Sequence, residues 1–411
     1  MSLLGLKVLR ISDILGLSFR QEGISYRGVL VLSVYILRDN GVLPMSGSTY
    51  GTSFIISTWG ESHGEAIGVV VDGCPAGLPL KEEDIQVFLN RRKPGQTKYS
   101  TPRKEEDKVQ LLSGIFEGRT TGTPISMLVF NENQKSSDYS KIAGYYRPGH
   151  ADYTFDQKYG FRDYRGGGRT SGRETIGRVA AGAIASAILR ELGITVYAYT
   201  RSIGPVTIDY QNCRKELTAA SPLFMPDPDA SRRAEEYVLE ELKAKNSVGG
   251  TIECIVAGMP AGIGQPVFDK LDAALAKAVM SIGAVKGVEI GDGFAAAGRS
   301  GAENNDSFHY NDQGKLTKLS NHAGGILGGL SDGSEIILRA AIKPTPSIAR
   351  PQQTVNKEKE NISVEILGRH DPVIVPRAVV VVEAMVAITL VDQLFQGMTA
   401  RMDKVKDFYR K

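Results

Sequence analysis

Five histidines carry the side chains in this sequence best suited to proton transfer near neutral pH. Four of them stand in loop-like motifs beside glycine, proline or small polar residues: His63, His150, His322 and His370. A neighbouring phosphate or carboxylate would favour the imidazolium, which donates a proton. For any one of these positions taken alone, a purely structural histidine is the simpler interpretation. The sequence holds no HxH, HExxH or Cys/His cluster, so we expect no catalytic metal.

The strongest local motif runs from 163 to 175 and reads Asp-Tyr-Arg-Gly-Gly-Gly-Arg-Thr-Ser-Gly-Arg-Glu-Thr. Three consecutive glycines let the backbone approach a ligand closely, and the arginines supply charged donors. The spacing of Ser171 and Glu174 predicts a capping box, with a helix over Thr175–Leu192 whose N-terminus favours an anion. A capped loop without a ligand fits the same pattern.

Two further stretches favour an anionic ligand. Asn90–Tyr99 is basic and contains a Pro-Gly turn, and Lys343–Ser347 is a stiff loop with two hydroxyl groups. Between Arg91 and Arg178, ten Arg and seven Lys stand against ten acidic residues, although the whole chain carries only +3. Such a local excess suggests a small anion or a phosphorylated cofactor, while a solvated basic face remains the simple alternative.

An internal repeat indicates the fold class. The segment Val71–Gly77 (VDGCPAG) recurs as Val256–Gly262 (VAGMPAG), each after a strand-like run and before a helical pattern. Gly118 and Gly122 before Ile125 match Gly329 and Gly333 before Ile336, and each half ends in a long apolar helix. We therefore expect an α+β fold of two similar halves.

The apolar patterns give approximate element bounds. The helix over Thr175–Leu192 is rich in Ala and Gly on nearly every face, which predicts burial on all sides. The other predicted helices are Lys81–Asn90, Val267–Ser281, a charged and exposed one over Ala230–Lys245, and Ala378–Gln396, where Val379–Val382 could instead form a strand. We expect Asp403–Lys411 to be a charged tail.

The composition limits the classes of protein to which this chain can belong. The chain has 411 residues, 42% hydrophobic and 23% charged, which is typical of globular proteins. Three widely spaced cysteines predict a reducing compartment, and the apolar run Val29–Leu37 is too short to span a bilayer. We expect a soluble cytoplasmic protein with a single domain over residues 45–411. We expect residues 1–44 to be an N-terminal extension outside that domain, with Met45 as the alternative start of the protein.

Several motifs together resemble the chorismate synthase family. They are Gly60–Gly64 (GESHG), Arg147–Asp152 (RPGHAD), Gly166–Thr175, Ser320–Gly325 (SNHAGG) and Gly368–Pro372 (GRHDP). The resemblance runs from about Met45 to Gln396. It implies a β-α-β sandwich, a homotetramer and a need for reduced FMN. It also implies the last step of the shikimate pathway, toward aromatic amino acids, in which 5-enolpyruvylshikimate 3-phosphate loses phosphate and a proton to give chorismate. NADPH is needed only where the enzyme reduces its own flavin.

The resemblance also assigns roles to residues. His63 is similar to the general acid near the leaving phosphate, His150 to the histidine at the reduced flavin, and Asp371 to the carboxylate that assists proton removal. Substrate or NADP binding falls on Arg92 and Lys98, the second of which is usually arginine. FMN contacts fall on Arg169, Thr170, Ser171, Gly283, Ala284, Gly328, Lys343, Pro344, Thr345, Pro346, Ser347 and Arg369. Thr170 often appears as Ser, and Gly283 as Asn.

Two other functions compete with this one. An NADPH-linked flavin oxidoreductase acting on an anionic small molecule would also need these charges, but the sequence lacks a clear dinucleotide-binding fingerprint. A nucleic-acid-binding module would use the arginines of 91–178, but the interspersed acidic residues interrupt a continuous basic track. We therefore expect a small-molecule substrate, with neither nucleic acid nor a membrane as a partner.

Overall fold

A computed structural model describes residues 47–97, 99–100, 105–132, 142–366 and 371–410, which belong to one compact unit, Ser46–Lys411. The α-helices in the described residues are α1 (Glu82–Arg92), α2 (Asp152–Tyr159), α3 (Thr175–Glu191), α4 (Pro228–Lys243), α5 (Leu271–Met280), α6 (Gly301–Asn304), α7 (Val375–Gly397) and α8 (Met402–Tyr409). The strands are β1 (Thr49–Tyr50), β2 (Ile55–Gly60), β3 (Ala66–Asp72), β4 (Val109–Leu111), β5 (Ile115–Phe116), β6 (Arg119–Thr120), β7 (Ile125–Phe130), β8 (Thr195–Ile203), β9 (Val206–Thr207), β10 (Gly250–Ala257), β11 (Val285–Ile290), β12 (Phe308–Tyr310), β13 (Leu316–Lys318), β14 (Ile326–Leu327), β15 (Leu330–Ser331), β16 (Ile336–Ile342), β17 (Gln352–Val355) and β18 (Asn361–Val364).

Two five-stranded antiparallel sheets enclose a layer of helices. The first has the order β1-β2-β3-β7-β4, and the second has the order β11-β16-β10-β8-β9. Helix α3 packs on the first sheet, α7 packs on the second, and the two helices pack on each other. The predicted α+β sandwich is therefore confirmed.

The internal repeat is visible in matching hydrogen bonds. The Gly77 amide donates to the Thr120 carbonyl at 2.8 Å, and the Gly262 amide donates to the Ser331 carbonyl at 2.7 Å. The hydroxyls of Thr120 and Ser331 each donate to the proline carbonyl of the matching turn, at 2.6 and 2.5 Å. The two halves therefore share turn chemistry as well as sheet order, which confirms the predicted duplication.

Helix α3 lies in the middle of the sandwich, as its small apolar residues predict. Twelve of its seventeen residues are buried. A Cβ placed on Gly182 would lie 2.3 Å from the Cβ of Ala384 in α7, and one on Gly177 would lie 3.0 Å from Thr58 Cγ2. Glycine at these two positions allows α3 to approach both α7 and the first sheet.

Helix α7 begins at Val375, and the alternative of a strand over Val379–Val382 is wrong. Pro376 stands in its first turn, where the missing amide is not needed. The helix is long and apolar enough to cross a membrane, but 83% of its most apolar window is buried inside the protein. Its carboxylates are satisfied internally, since Glu383 pairs with Arg91 and Asp392 accepts three backbone amides. It is a core helix.

Three other bounds differ from the sequence prediction. Helix α5 begins at Leu271, not at Val267, because Val267 has φ +67° and interrupts a helix there. Helix α4 begins at Pro228, after Asp227 has accepted two amides as its N-cap, and it buries one face. The charged tail contains helix α8, of which no residue is buried.

Candidate active site

The glycine loop enters α3 through two short 3₁₀ turns, Gly168–Thr170 and Gly172–Glu174. Ser171 Oγ accepts the Arg173 amide at 3.3 Å, and the Glu174 carboxylate pairs with Arg178 at 3.0 Å. The predicted capping box is therefore wrong, although the helix does begin at Thr175. Ser171 instead caps the 3₁₀ turn Gly172–Glu174, which lies immediately before α3.

Two histidines contact consecutive glycines of this loop. A Cβ on Gly166 would lie 2.6 and 2.7 Å from two atoms of the His63 ring. A Cβ on Gly167 would lie 2.9 Å from Cε1 of His150. Both glycines also have positive φ, +63° and +88°. The structure therefore places His63 and His150 against the same loop, where a side chain would displace either ring.

His63 is held by the loop between β2 and β3. The Asn131 side-chain amide donates to the carbonyls of Glu61 at 3.1 Å and Gly64 at 2.8 Å, which fixes both ends of the turn. Asn131 in turn accepts a hydrogen bond from Arg173 at 2.8 Å. Asn131 was not predicted from the sequence, because it is about seventy residues away along the chain. The His63 residue is 6% exposed.

His150 is the last residue of a tight turn that begins at Arg147. The His150 amide donates to the Arg147 carbonyl at 3.2 Å, with Pro148 and Gly149 (φ +68°) as the central residues of a type II turn. Arg147 donates two side-chain hydrogen bonds to Asp152, at 2.8 and 2.7 Å. Burial raises the pKa of Asp152, but hydrogen bonds and charge from Arg147 and His150 outweigh burial and hold this pKa well below its usual range.

The loop Lys343–Ser347 lies beside the same turn. Lys343 Nζ donates to the Gly149 carbonyl at 2.8 Å, and a Cβ on Gly149 would lie 3.2 Å from Pro346. The Lys343 amide donates to the carbonyl of Ala284 at 2.9 Å. Burial and the nearby Lys286 lower the pKa of Lys343. Two of the predicted cofactor segments, Gly283–Ala284 and Lys343–Ser347, therefore meet at the turn that precedes His150.

These segments fit a phosphorylated ligand. Thr345 Oγ1 is buried and has no hydrogen-bond partner among the described residues. A Cβ on Gly283 or Gly328 would meet nothing within 4 Å, which leaves open space. Ala284 adopts φ +74°, a conformation that costs a non-glycine residue about 1–2 kcal/mol. An unpaired hydroxyl, open space and a lysine together match a phosphate-bearing cofactor.

The remaining cofactor candidates lie in two places. Arg169 donates to Thr58 Oγ1 at 2.7 Å and to the Gly60 carbonyl at 3.2 Å, so it anchors the glycine loop to β2. Thr170 Oγ1 donates to the Gly167 carbonyl at 2.7 Å. Gly328 occupies the two-residue turn between β14 and β15. Lys98 and Arg369 lie outside the described residues.

Arg92 and Asp371 join a second, adjacent network. Arg92 is 1% exposed, and its guanidinium donates to Asp107 at 2.7 Å and to the Gly172 carbonyl at 3.1 Å. Its own carbonyl accepts from Arg377 at 3.0 Å, and Arg377 is ion-paired with Asp371. Arg92 therefore braces the glycine loop from inside the protein, and its predicted role in binding an anion stays a prediction.

Asp107 neutralises two arginines beneath the loop. Burial raises its pKa, but the charges of Arg92 and Arg173 outweigh burial and lower the pKa below its ordinary value. A small surface pocket opens beside this network, and Lys93, Tyr99 and Arg377 are among its lining residues.

The geometry of the two histidines is suited to one kind of chemistry. Two histidines against one glycine loop can exchange protons with a ligand that the loop holds. Arg92 donates to the loop from inside the protein, and Lys343 donates to the turn that precedes His150. Such an arrangement, in an α+β sandwich, is suited to acid–base chemistry on an anionic ligand.

Comparisons with known proteins give the family. The chorismate synthase family model matches residues 54–395. A chorismate synthase from Lachnoclostridium phytofermentans is 70% identical over 367 residues, covering 89% of this chain and all of that protein. One from Agathobacter rectalis is 65% identical with the same coverage. A solved structure titled "Crystal Structure of Chorismate Synthase" has 31% identity and a TM-score of 0.69, covering 87% of this chain and 96% of that one. The chain belongs to the chorismate synthase family, whose members are lyases.

Proposed function

We propose that this protein forms chorismate from 5-enolpyruvylshikimate 3-phosphate by 1,4-elimination of phosphate, with reduced FMN as cofactor. The observation that carries the proposal is the pair of histidine rings against Gly166 and Gly167, within a chain of this family. The reaction removes one proton and one phosphate without net oxidation. It therefore needs a group that protonates the leaving phosphate and a group that accepts the substrate proton.

His63 is the proposed general acid. It lies in the β2–β3 turn against the glycine loop. An imidazolium there would donate its proton to the departing phosphate oxygen. General acid–base help of this kind is worth about 10²–10⁴-fold in rate.

Asp371 is the carboxylate proposed to assist removal of the substrate proton. Its carboxylate is paired with Arg377, which lies in the first turn of α7 and also donates a hydrogen bond to the Arg92 carbonyl. This pairing fixes the orientation of the carboxylate. It also links Asp371 through Arg92 to Gly172 of the glycine loop.

Reduced FMN, when bound, supplies electron density to the breaking C–O bond. The residues proposed to hold it are the loop Lys343–Ser347 and Gly283–Ala284, with Thr345 Oγ1 free to donate to a ligand. His150 would face its ring. NADPH would serve only to reduce the flavin.

We also propose that the enzyme works in the cytoplasm as a homotetramer. Several large apolar side chains support an oligomer, since Phe268 is 89% exposed and Phe294 is 84% exposed. Size-exclusion chromatography with light scattering tests the oligomeric state independently of the activity.

The activity is tested anaerobically with purified protein, 5-enolpyruvylshikimate 3-phosphate and chemically reduced FMN. We expect chorismate and phosphate in equal amounts, and neither with oxidised FMN. A further arm with oxidised FMN and NADPH shows whether the protein reduces its own flavin. The His63→Ala variant should bind FMN and turn over at least about 10²-fold more slowly. Full turnover by that variant would remove His63 from the mechanism.

A further inference from the structure

Arg178 connects the helix that follows the glycine loop to a cofactor segment of the second half. It lies in the first turn of α3, and its guanidinium donates in two directions. Nε donates to the carboxylate of Glu174 at 3.0 Å, and Glu174 ends the 3₁₀ turn through which the glycine loop enters α3. Nη1 donates to Ser281 Oγ at 2.6 Å, and Nη2 donates to the Ser281 carbonyl at 3.2 Å. One side chain therefore binds both halves of the protein.

A planar guanidinium is needed for this arrangement. Because Glu174 fixes Nε, the two Nη groups are held toward Ser281, which a single ammonium group could not reproduce. The side chains of Arg178 and Glu174 are 17% and 11% exposed, so solvent screens their charges only in part. Ser281 is the C-cap of α5, whose last carbonyls need donors from outside the helix. Arg178 supplies these donors, and its positive charge is favourable at that helix end.

The residues after Ser281 form a strained turn. The Val285 amide donates to the Ile282 carbonyl at 3.2 Å, so Gly283 and Ala284 are the central residues of a β-turn. Ala284 has φ +74°, a left-handed conformation that alanine rarely adopts. A residue stays in such a conformation where the surrounding structure holds it there. The turn therefore depends on contacts at its two ends.

Both ends of this turn are bound to other segments. Before the turn, Arg178 binds Ser281. After it, the Lys343 amide donates to the Ala284 carbonyl at 2.9 Å, and Lys343 Nζ donates to the Gly149 carbonyl at 2.8 Å. The turn is therefore connected to the glycine loop on one side and to the turn that precedes His150 on the other.

We propose that Arg178 is a positioning residue for the cofactor segment Gly283–Ala284, which it holds at a fixed place relative to the glycine loop. Its guanidinium holds Ser281, and Glu174 holds the guanidinium. The role acts through Ser281 and needs no contact between Arg178 and a ligand. That this segment binds a cofactor rests on the proposed function, whereas the effect of Arg178 on the turn does not.

The direct test is hydrogen–deuterium exchange of the ligand-free protein, measured by mass spectrometry. In Arg178→Gln we expect the amides of residues 282–285 to exchange about tenfold faster than in the wild type, because charge-assisted hydrogen bonds are lost. Exchange in β10, the central strand of the second sheet, should not change. Wild-type exchange over 282–285 overturns the proposal. An equal increase in β10 also overturns it, since it would show a general loosening of the fold.

The matched control is Arg190→Gln, which removes an exposed arginine in the last turn of the same helix. It should leave exchange over 282–285 at the wild-type rate, and a tenfold increase there would contradict a specific role of Arg178. Arg178→Lys keeps the charge but loses the fork, so we expect exchange between those of the wild type and Arg178→Gln.

A double variant tests the contact itself. Ser281→Ala removes the hydroxyl that accepts from Arg178. In the Ser281→Ala background, Arg178→Gln should speed exchange by a smaller factor than it does in the wild type, because part of the interaction is already absent. Equal factors in the two backgrounds would contradict positioning through Ser281.

The cofactor part is tested by fluorescence titration of FMN, at a temperature where circular dichroism shows every variant folded. We expect the Kd of Arg178→Gln to rise about tenfold and that of Arg190→Gln to stay at the wild-type value. A faster-exchanging turn with unchanged FMN affinity would contradict the role toward the cofactor. Wild-type protein that binds no FMN would contradict the proposed function, and the exchange experiment would still decide whether Arg178 holds the turn.

Discussion

At the scale of single residues, Gly166 and Gly167 impose the tightest constraint on the site. Gly166→Ala would put a methyl group 2.6 Å from the His63 ring, and Gly167→Ala would put one 2.9 Å from the His150 ring. Because displacing a reacting group by about 1 Å costs about 10²-fold, we expect kcat to fall by about that factor in each variant. Steady-state kinetics on folded protein measures this.

The matched control is Gly144→Ala. A Cβ at that position meets nothing within 4 Å, and its φ lies outside the left-handed region. It should keep wild-type kinetics. Unimpaired turnover by Gly166→Ala would show that His63 tolerates displacement and plays no part in the chemistry.

Gly283 stands where the resemblance leads us to expect asparagine, and the structure has room for that side chain. Its Cβ direction is open, and its φ is not positive, so asparagine fits without strain. If Gly283→Asn restores a side-chain contact to FMN, we expect binding to tighten several-fold. Titration of FMN by fluorescence measures this, and weaker binding would show that the open space serves another purpose.

Asp152 gives the protein a predictable acid sensitivity. Its folded pKa lies well below the unfolded value of about 3.9, so its contribution to stability is complete above that pH and is lost as the pH falls below it. We expect the free energy of unfolding of the wild type to fall more steeply below pH 4 than that of Asp152→Asn. Urea titrations at pH 5 and pH 3 measure the difference, and parallel losses would contradict the role of this carboxylate.

Some residues of the candidate site could be predicted from the sequence, and others could not. Histidines and glycines are recognisable because their chemistry and backbone freedom are local properties. The partners of Arg92 and Arg173 are not, since both bind Asp107, which lies 15 and 66 residues away along the chain. Arg147 and Asp152 stand in a recognised motif, and only the folded turn shows that they flank the His150 ring.

At the scale of elements, the crossing of α3 and α7 sets how closely the two halves pack. Gly182→Val adds atoms where a Cβ would already lie 2.3 Å from Ala384. We expect a loss of about 1–3 kcal/mol in the free energy of unfolding. Ala187→Val, on a partly exposed face of the same helix, is the control and should cost far less. Equal losses in urea titrations would show that the crossing is not a point of close contact.

Helix α7 shows where local patterns fail. A run of four valines favours a strand by propensity, yet these residues lie inside a 23-residue helix. Burial between α3 and the second sheet decides the outcome, and Pro376 sets the start of the helix. The sequence shows that this run is apolar, but the elements that pack against it determine whether it forms a helix or a strand.

At the scale of the whole molecule, most of the arginines in 91–178 bind acidic side chains of the protein itself. Among the described residues, seven of those arginines form ion pairs with acidic residues: Arg91, Arg92, Arg147, Arg162, Arg165, Arg173 and Arg178. The charge count therefore overstated the cations available to a ligand. The partner of Arg91 is Glu383, almost 300 residues away, so the sequence alone could not reveal this pairing.

Residues 1–44 are proposed to lie outside the catalytic domain. Deleting them should leave kcat, KM and the oligomeric state unchanged, because the family match begins at residue 54. Kinetics and light scattering on the shortened protein measure this. Loss of folded, active enzyme would show that the extension belongs to the domain.

The central claim is that this site eliminates phosphate without net oxidation. The most direct measurement follows the absorbance of reduced FMN under anaerobic conditions while chorismate and phosphate accumulate from excess 5-enolpyruvylshikimate 3-phosphate. We predict many chorismate molecules per flavin, equal phosphate, and a flavin spectrum that is reduced at the end. Product formation that stops at one per flavin, with the flavin left oxidised, would contradict the claim and identify an oxidoreductase instead.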